Sequence, residues 1–118
     1  MPAPHYHDHL REQLLRDIQW TIANKVRDPR VPSVVTVTDM NLSNDMRNAT
    51  VYISVYGDDR IKQDALAALN NAAAFIQKTV SGRVRTKHFP RLLFKRDDSI
   101  ERSLHIGELL KEVQDDLV

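Results

Sequence analysis

Seven basic side chains and no acidic ones fall within residues 65–96 of this 118-residue chain. Lysine and arginine neutralise phosphate groups, and arginine can hold one phosphate through two parallel hydrogen bonds. The run therefore predicts a nucleic-acid surface, provided that the cations converge in space; the alternative is an ordinary solvated face. Its members are Lys78, Arg83, Arg85, Lys87, Arg91, Lys95 and Arg96.

The charge of the chain is unevenly distributed along its length. Residues 1–64 carry a net charge of −1, residues 65–96 carry +7 and residues 97–118 carry −5, although the whole chain has only +1. Such asymmetry concerns partners rather than fold. The basic segment favours an anionic partner. The acidic end either keeps the protein away from free nucleic acid or aids solubility, and we favour solubility.

Patterns that could support catalysis are weak in this sequence. The chain has no cysteine and only three glycines, Gly57, Gly82 and Gly107. This composition excludes a cysteine nucleophile, a glycine-rich phosphate loop and a G-x-S-x-G elbow. The three pairs of adjacent aspartates are typical of helix starts rather than of paired acid–base catalysis. We therefore expect no enzyme activity and no cofactor.

Three histidines alternate near the start of the chain. His5, His7 and His9 would point the same way from an extended segment and could then hold a zinc ion. No fourth ligand is evident, and chain termini are usually poorly ordered. We therefore favour incidental histidines and expect no metal.

Length and composition place the chain among ordinary globular proteins. A hydrophobic content of 42% and a charged content of 28% suit one domain over residues 1–118 with a single core. Residues 1–7 are expected to be flexible and residues 114–118 to fray. No secretory signal and no apolar run of about 18 residues is present, which indicates a cytoplasmic protein without a membrane partner. We expect a monomer.

The elements that must position the cations follow from hydrophobic periodicity. A first helix is predicted from Asp8, as N-cap, to Pro29, because apolar residues recur at every fourth position. The β-branched segments SVVTVTDMNLS and NATVYISVYG flank the polar turn SNDMRN and predict an antiparallel hairpin. Alternation in the second segment leaves Tyr52 and Tyr56 on the face opposite its apolar residues.

A second helical pattern extends from Asp64 to Gly82, and periodicity alone predicts one continuous helix there. The segment RLLFK, after Pro90, predicts a third strand. Asp98 is the expected N-cap of a terminal helix, with Glu101 at the capping-box position. Three strands cannot bury both faces of a sheet, so the helices must cover one face in an α+β arrangement.

Two long segments resemble one protein family. RDPRVPSVVTVTDMNLSNDMRNATVYISVYGD is similar to the first half of ribosome-binding factor A, a bacterial small-subunit assembly protein. ALNNAAAFIQKTVSGRVRTKHFPRLLFKRDDSIERSLHIGELL is similar to its second half, so the similarity spans about residues 8–112. The order and spacing of the landmarks carry the resemblance: Asp28-Pro29-Arg30, Val35–Asp39, Asn70–Ile76, Pro90 and Asp97-Asp98-Ser99-Ile100-Glu101.

The resemblance implies a type II KH-like domain with the element order α–β–β–α–α–β, which agrees with the order above. It also implies binding to 16S ribosomal RNA in free or immature small (30S) subunits, during late maturation of the 5′ end of that RNA. Other maturation factors are possible further partners. Family members lack the G-x-x-G loop with which KH domains clamp the RNA backbone, and so does this chain.

We therefore expect RNA-phosphate contacts from the basic run. Arg30, in the loop after the first helix, is a weaker candidate whose structural alternative is to close that turn. A competing hypothesis is a protein–protein module that docks through the hairpin face with Tyr52 and Tyr56. The expected RNA-binding residues are Lys78, Arg83, Arg85, Lys87, Arg91, Lys95 and Arg30.

The family carries an Ala-x-Gly kink between its second and third helices. The matching positions here are Ala72, Ala73 and Ala74, so the glycine is replaced. Alanine is the best helix former, and glycine in a helix interior costs about 1 kcal/mol relative to it. We therefore expect a bend that survives in a shallower form, enforced by packing such as that of Phe75 against the sheet.

Overall fold

The computed structural model describes residues 6–84 and 88–98, with side chains from His9 onward. The described elements are α1 (Tyr6–Lys25), β1 (Val35–Leu42), β2 (Asn48–Val55), α2 (Asp59–Asn71), α3 (Ala73–Ser81) and β3 (Arg91–Arg96). The strands form one sheet in the order β1-β2-β3, with β1 antiparallel and β3 parallel to β2. The predicted terminal helix, with Asp98 and Glu101 at its start, extends beyond the described residues.

The core lies between one face of the sheet and the helices, as expected for an α+β layer. In β2, Val51 and Ile53 are buried, whereas Thr50 and Tyr52 point to the other face and stay half-buried. The helical side of the core comes from the apolar stripe of α1 and from Leu69, Ile76 and Val80 of α2 and α3. Within the described residues, no helix is long and apolar enough to cross a membrane.

The start of α1 differs from the prediction. The helix already includes Tyr6, so Asp8 lies inside it and is not the N-cap. His7 and His9 therefore both lie in a helix, and the extended segment on which the zinc hypothesis depends is not formed there. His5 lies outside the described residues. Among the residues that are described, no group of three or more metal-ligating side chains could hold a metal ion.

The helical region after the hairpin is two helices, so the prediction of one continuous helix from Asp64 is wrong. α2 begins at Asp59 because the carboxylate of Asp58 accepts a hydrogen bond from the Ile61 amide at 2.9 Å. The interruption is confined to Ala72, whose φ of −88° and ψ of 0° depart from helical values. The expected break is thus confirmed, while its shallowness stays a prediction.

Both outer edges of the sheet are occupied by carboxamide side chains from the helices. Gln19 of α1 donates to the Val35 carbonyl at 2.7 Å and accepts from the Val37 amide at 2.6 Å. Asn70 of α2 donates to the Phe94 carbonyl at 3.1 Å and accepts from the Phe94 amide at 2.9 Å. Each carboxamide satisfies backbone groups that an edge strand otherwise leaves open.

Phe75 does not pack against the sheet, contrary to the expectation. It is 50% exposed on the outer side of α3. The contact that ties the helix junction to the sheet is instead the one between Asn70 and Phe94.

Candidate nucleic-acid interface

Helices α1 and α3 pack side by side in opposite directions. Arg83, just after α3, lies over Trp20 in the second half of α1. Phe75, at the start of α3, shares a groove with Arg27, just after the end of α1. Residues far apart in sequence therefore meet along the outer flank of this helix pair.

The guanidinium of Arg83 contacts Trp20 and Asp17 but stays accessible to solvent. Its central carbon lies 4.2 Å from the centroid of the Trp20 ring, and its Nε lies 3.6 Å from Oδ1 of Asp17. The Arg83 side chain is 45% exposed. Lys25 Nζ lies 5.8 Å from the same ring, so two cations from two chain segments meet around one indole.

A groove continues from this cluster to the junction of α2 and α3. Its walls include Lys25 and Arg27 on the α1 side and Asn71, Ala72 and Phe75 on the junction side. Phe75 offers half of its side chain to solvent at the rim.

Lys78 extends the basic character of the groove, because it lies three residues after Phe75 on the same helix and is exposed. The helical surface, as we define it, consists of Trp20, Lys25, Arg27, Phe75, Lys78 and Arg83.

Arg30 closes the loop after α1. Its amide and its Nε donate to Oδ1 of Asp28 at 2.9 and 3.2 Å, and a terminal guanidinium nitrogen donates to Oδ2 at 2.9 Å. The side-chain hydrogen bond from Arg30 lowers the pKa of Asp28. Arg30 therefore closes the turn after α1, which is the structural alternative that the sequence analysis gave for it. Its contact with an RNA phosphate stays a prediction. Asp28, which also lines the groove, has its charge engaged by Arg30.

Arg91 and Lys95 lie on the other side of the sheet. They alternate along β3 with Leu92 and Phe94, which point into the core, so their side chains leave the sheet on the face opposite the described helices. Lys95 is paired in register with Tyr52 of β2. The open face, as we define it, consists of Thr50, Tyr52, Arg91, Leu93 and Lys95.

The basic run therefore does not form one footprint. Lys78 and Arg83 belong to the helical surface, whereas Arg91 and Lys95 belong to the open face, so the expectation of a single convergent patch is wrong. The physical reason is the period of two in a strand, which sends alternate side chains of β3 to opposite faces. Arg85 and Lys87 lie outside the described residues.

Arg96 is engaged by acidic partners. One of its terminal nitrogens lies 3.1 Å from Asp59 Oδ1 and 3.4 Å from Asp98 Oδ1. The hydrogen bond to Asp59 raises the pKa of Arg96. Its side chain is only 18% exposed, so this member of the run belongs to neither surface.

Four residues of the helical surface were missed from the sequence, namely Trp20, Lys25, Arg27 and Phe75. The sequence did contain a signal for the two aromatic residues. Trp20 lies outside the stripe of apolar residues that recur at every fourth position of α1, and Phe75 lies outside the apolar stripe of α3. A large aromatic residue on the polar side of an amphipathic helix is an indication of a binding surface. Phe75 was expected to pack against the sheet, but half of it is exposed.

Comparison with known proteins decides the family. The family model of ribosome-binding factor A matches residues 7–110 of this chain. The chain belongs to the ribosome-binding factor A family. Ribosome-binding factor A of Desulfitobacterium hafniense is 41% identical over 112 residues, which cover 95% of this chain and 89% of that protein.

Solved structures of the ribosome-binding factor A family share the fold. The crystal structure of the Thermus thermophilus protein aligns with a TM-score of 0.67 and 31% identity, covering 75% of this chain and 92% of that one. A Thermus thermophilus ribosome-binding factor A homology model, fitted into a cryo-electron microscopy map of its complex with the 30S subunit, aligns with a TM-score of 0.64 and 30% identity. This alignment covers 77% of this chain and 94% of that one. The KH-like fold expected from the sequence is confirmed.

Proposed function

We propose that this protein is a non-enzymatic assembly factor that binds 16S ribosomal RNA in free or immature small subunits through the helical surface. The observation that carries the proposal is the meeting of Lys25 and Arg83 around the partly exposed Trp20. Family membership supports the ribosomal partner, as does the fitting of a Thermus thermophilus relative into a 30S complex.

The helical surface combines the two kinds of group that bind an RNA strand. Its cations neutralise phosphates, which is the main sequence-independent source of nucleic-acid affinity. Its exposed aromatic ring, Phe75, offers a face on which an unpaired base can stack. Between them, the groove reaches Ala72 at the helix junction, the place where other KH domains carry their backbone-clamping loop.

A role in late maturation of the 5′ end of 16S ribosomal RNA follows if the bound protein favours one conformation of the RNA. A protein shifts such an equilibrium only by its differential affinity for the two states. We propose that it acts in this way as a cytoplasmic monomer, beside other maturation factors.

Sedimentation with ribosomal particles tests the binding proposal. Tagged protein is mixed with small subunits from wild-type and maturation-deficient cells at two ionic strengths, with large subunits as the control. We expect co-sedimentation with small subunits that weakens steeply with salt, with a log–log slope of about 0.7 to 0.9 per phosphate contacted. Absence from small subunits, or binding that does not depend on salt, contradicts the proposal.

A second candidate function is docking of a protein through the open face. Leu93 is 48% exposed there, and Tyr56, the residue that follows β2, is 96% exposed. Apolar and aromatic side chains presented to solvent are common at protein interfaces. This candidate predicts binding that is insensitive to salt and independent of ribosomal particles, so the same sedimentation experiment separates the two.

The maturation role is tested in cells that lack the endogenous protein. We expect 16S ribosomal RNA with an unprocessed 5′ end to accumulate on depletion, as measured by primer extension. Re-expression of the wild-type chain should remove the precursor, and no accumulation on depletion contradicts this part of the proposal.

A further inference from the structure

The break between α2 and α3 occurs in a segment whose composition opposes it. Residues 72–74 are three alanines, and none of the three glycines of the chain lies between Gly57 and Gly82. The ψ of 0° at Ala72 nevertheless departs from the usual helical value, and its amide is shared between the carbonyls of Ala68 at 3.0 Å and Leu69 at 3.1 Å. Because alanine favours a continuous helix, an interaction outside the junction must impose the break.

The two helices on either side of the break both contact β3, but each has a second neighbour that the other lacks. α2 contacts β3 and β2, whereas α3 contacts β3 and α1. A single straight helix through both segments would lose one of these two packing arrangements. The position of the break along the chain is therefore set by the point at which the end of α2 is attached to the sheet.

Asn70 provides that fixed point. Its carboxamide makes two hydrogen bonds, at 2.9 and 3.1 Å, to the amide and the carbonyl of Phe94, whose side chain is 1% exposed in the core. Two parallel hydrogen bonds set both the distance and the orientation of the last turn of α2 relative to the β3 edge. The interruption follows two residues later, at Ala72.

We infer that Asn70 is a positioning residue, which anchors α2 to β3 and so forces the break that places Phe75 and Lys78. This inference rests on the proposed RNA-binding function of the helical surface. Asn70 thus controls the shape of the helical surface without contacting the RNA. Without its hydrogen bonds to Phe94, we expect α2 and α3 to become collinear and the groove at Ala72 to open.

A distance between the two helices tests the inference without any ribosomal particle. The chain has no cysteine, so spin labels can be attached at Arg60→Cys and Ser81→Cys, which are both exposed positions. One straight helix would separate these Cα atoms by about 32 Å. We expect a shorter distance in the wild-type background and a shift toward the straight-helix value with Asn70→Ala. An unchanged distance in a folded Asn70→Ala protein overturns the inference.

A glycine placed at the junction offers a rescue experiment. Ala74→Gly in the Asn70→Ala background should restore the shorter distance, because glycine weakens the continuous helix at the junction. The control is Gln63→Ala, which removes an exposed carboxamide from α2 and should leave the distance unchanged. If the distance stays long in the Asn70→Ala, Ala74→Gly protein, weakening the helix at the junction cannot substitute for the anchor, and this part of the inference fails.

Affinity for small subunits gives the functional readout. If Asn70→Ala reduces the broken form to roughly a tenth of the molecules, apparent affinity should fall about tenfold. Ala74→Gly should recover most of that loss. Failure of the wild-type chain to bind would contradict the proposed function but not the distance result, so the two proposals fail separately. A straightened Asn70→Ala protein that binds as tightly as the wild type overturns the functional part.

Discussion

The helical surface and the open face each carry two of the cations predicted from the sequence, but in different surroundings. On the helical surface, Arg83 is held over Trp20, beside a groove that reaches a second exposed aromatic ring. On the open face, Arg91 and Lys95 lie on either side of Leu93 along β3. The difference teaches that the arrangement of cations around aromatic rings and a groove, and not their number, distinguishes a candidate RNA site.

The largest single-residue effect is expected at Phe75. Base stacking on an aromatic side chain contributes about 1–3 kcal/mol, so Phe75→Ala should weaken binding to small subunits about tenfold or more. The matched control is Tyr56→Ala, which removes an even more exposed ring just after β2 and should change affinity by less than about twofold. Both variants should keep the wild-type melting temperature, measured by circular dichroism. Equal effects of the two variants would erase the distinction between the surfaces.

A smaller effect is expected at Trp20. A cation–π contact at an exposed site contributes about 0.5–1 kcal/mol, so Trp20→Ala should weaken binding by about two- to fivefold through a less well-positioned Arg83. A double-mutant cycle with Arg83→Ala checks this route by equilibrium binding. If Trp20 acts through Arg83, the two effects should not add. Strict additivity would mean that Trp20 contacts the RNA independently.

The smallest effect is expected at Arg30. Its guanidinium is already engaged by Asp28, and an exposed ion pair contributes about 0–1 kcal/mol. Arg30→Ala should therefore change affinity for small subunits by less than about twofold. A larger loss at an unchanged melting temperature would bring the loop after α1 into the interface.

The sequence predicted the layers of the fold well, because each depends on a local period. Four-residue spacing in α1 and alternation in β2 both identify the buried side correctly. The break at Ala72 was expected only from the family resemblance, since the apolar stripe continues through it from Leu69 to Ile76. The contact that holds the junction joins Asn70 to Phe94, which are 24 positions apart in the sequence. No periodic pattern contains such a contact.

The candidate site was harder to predict than the fold. Cations that are close in the sequence were expected to be close in space. The alternation of side chains in β3 instead places Arg91 and Lys95 on the open face, away from Lys78 and Arg83. Lys25 and Arg27 escaped notice because they belong to a segment of nearly balanced charge. They join the site only when α1 and α3 pack in opposite directions, which is a property of the tertiary fold.

A matched pair of double variants tests the central claim most directly. Lys78→Ala with Arg83→Ala removes two charges from the helical surface, and Arg91→Ala with Lys95→Ala removes two from the open face. Binding to immature small subunits is measured for each over a range of salt concentrations. We predict that the helical pair loses about 1.4 to 1.8 units of the log–log salt slope and that the open-face pair keeps the wild-type slope. Equal losses, or a loss confined to the open-face pair, would contradict the account.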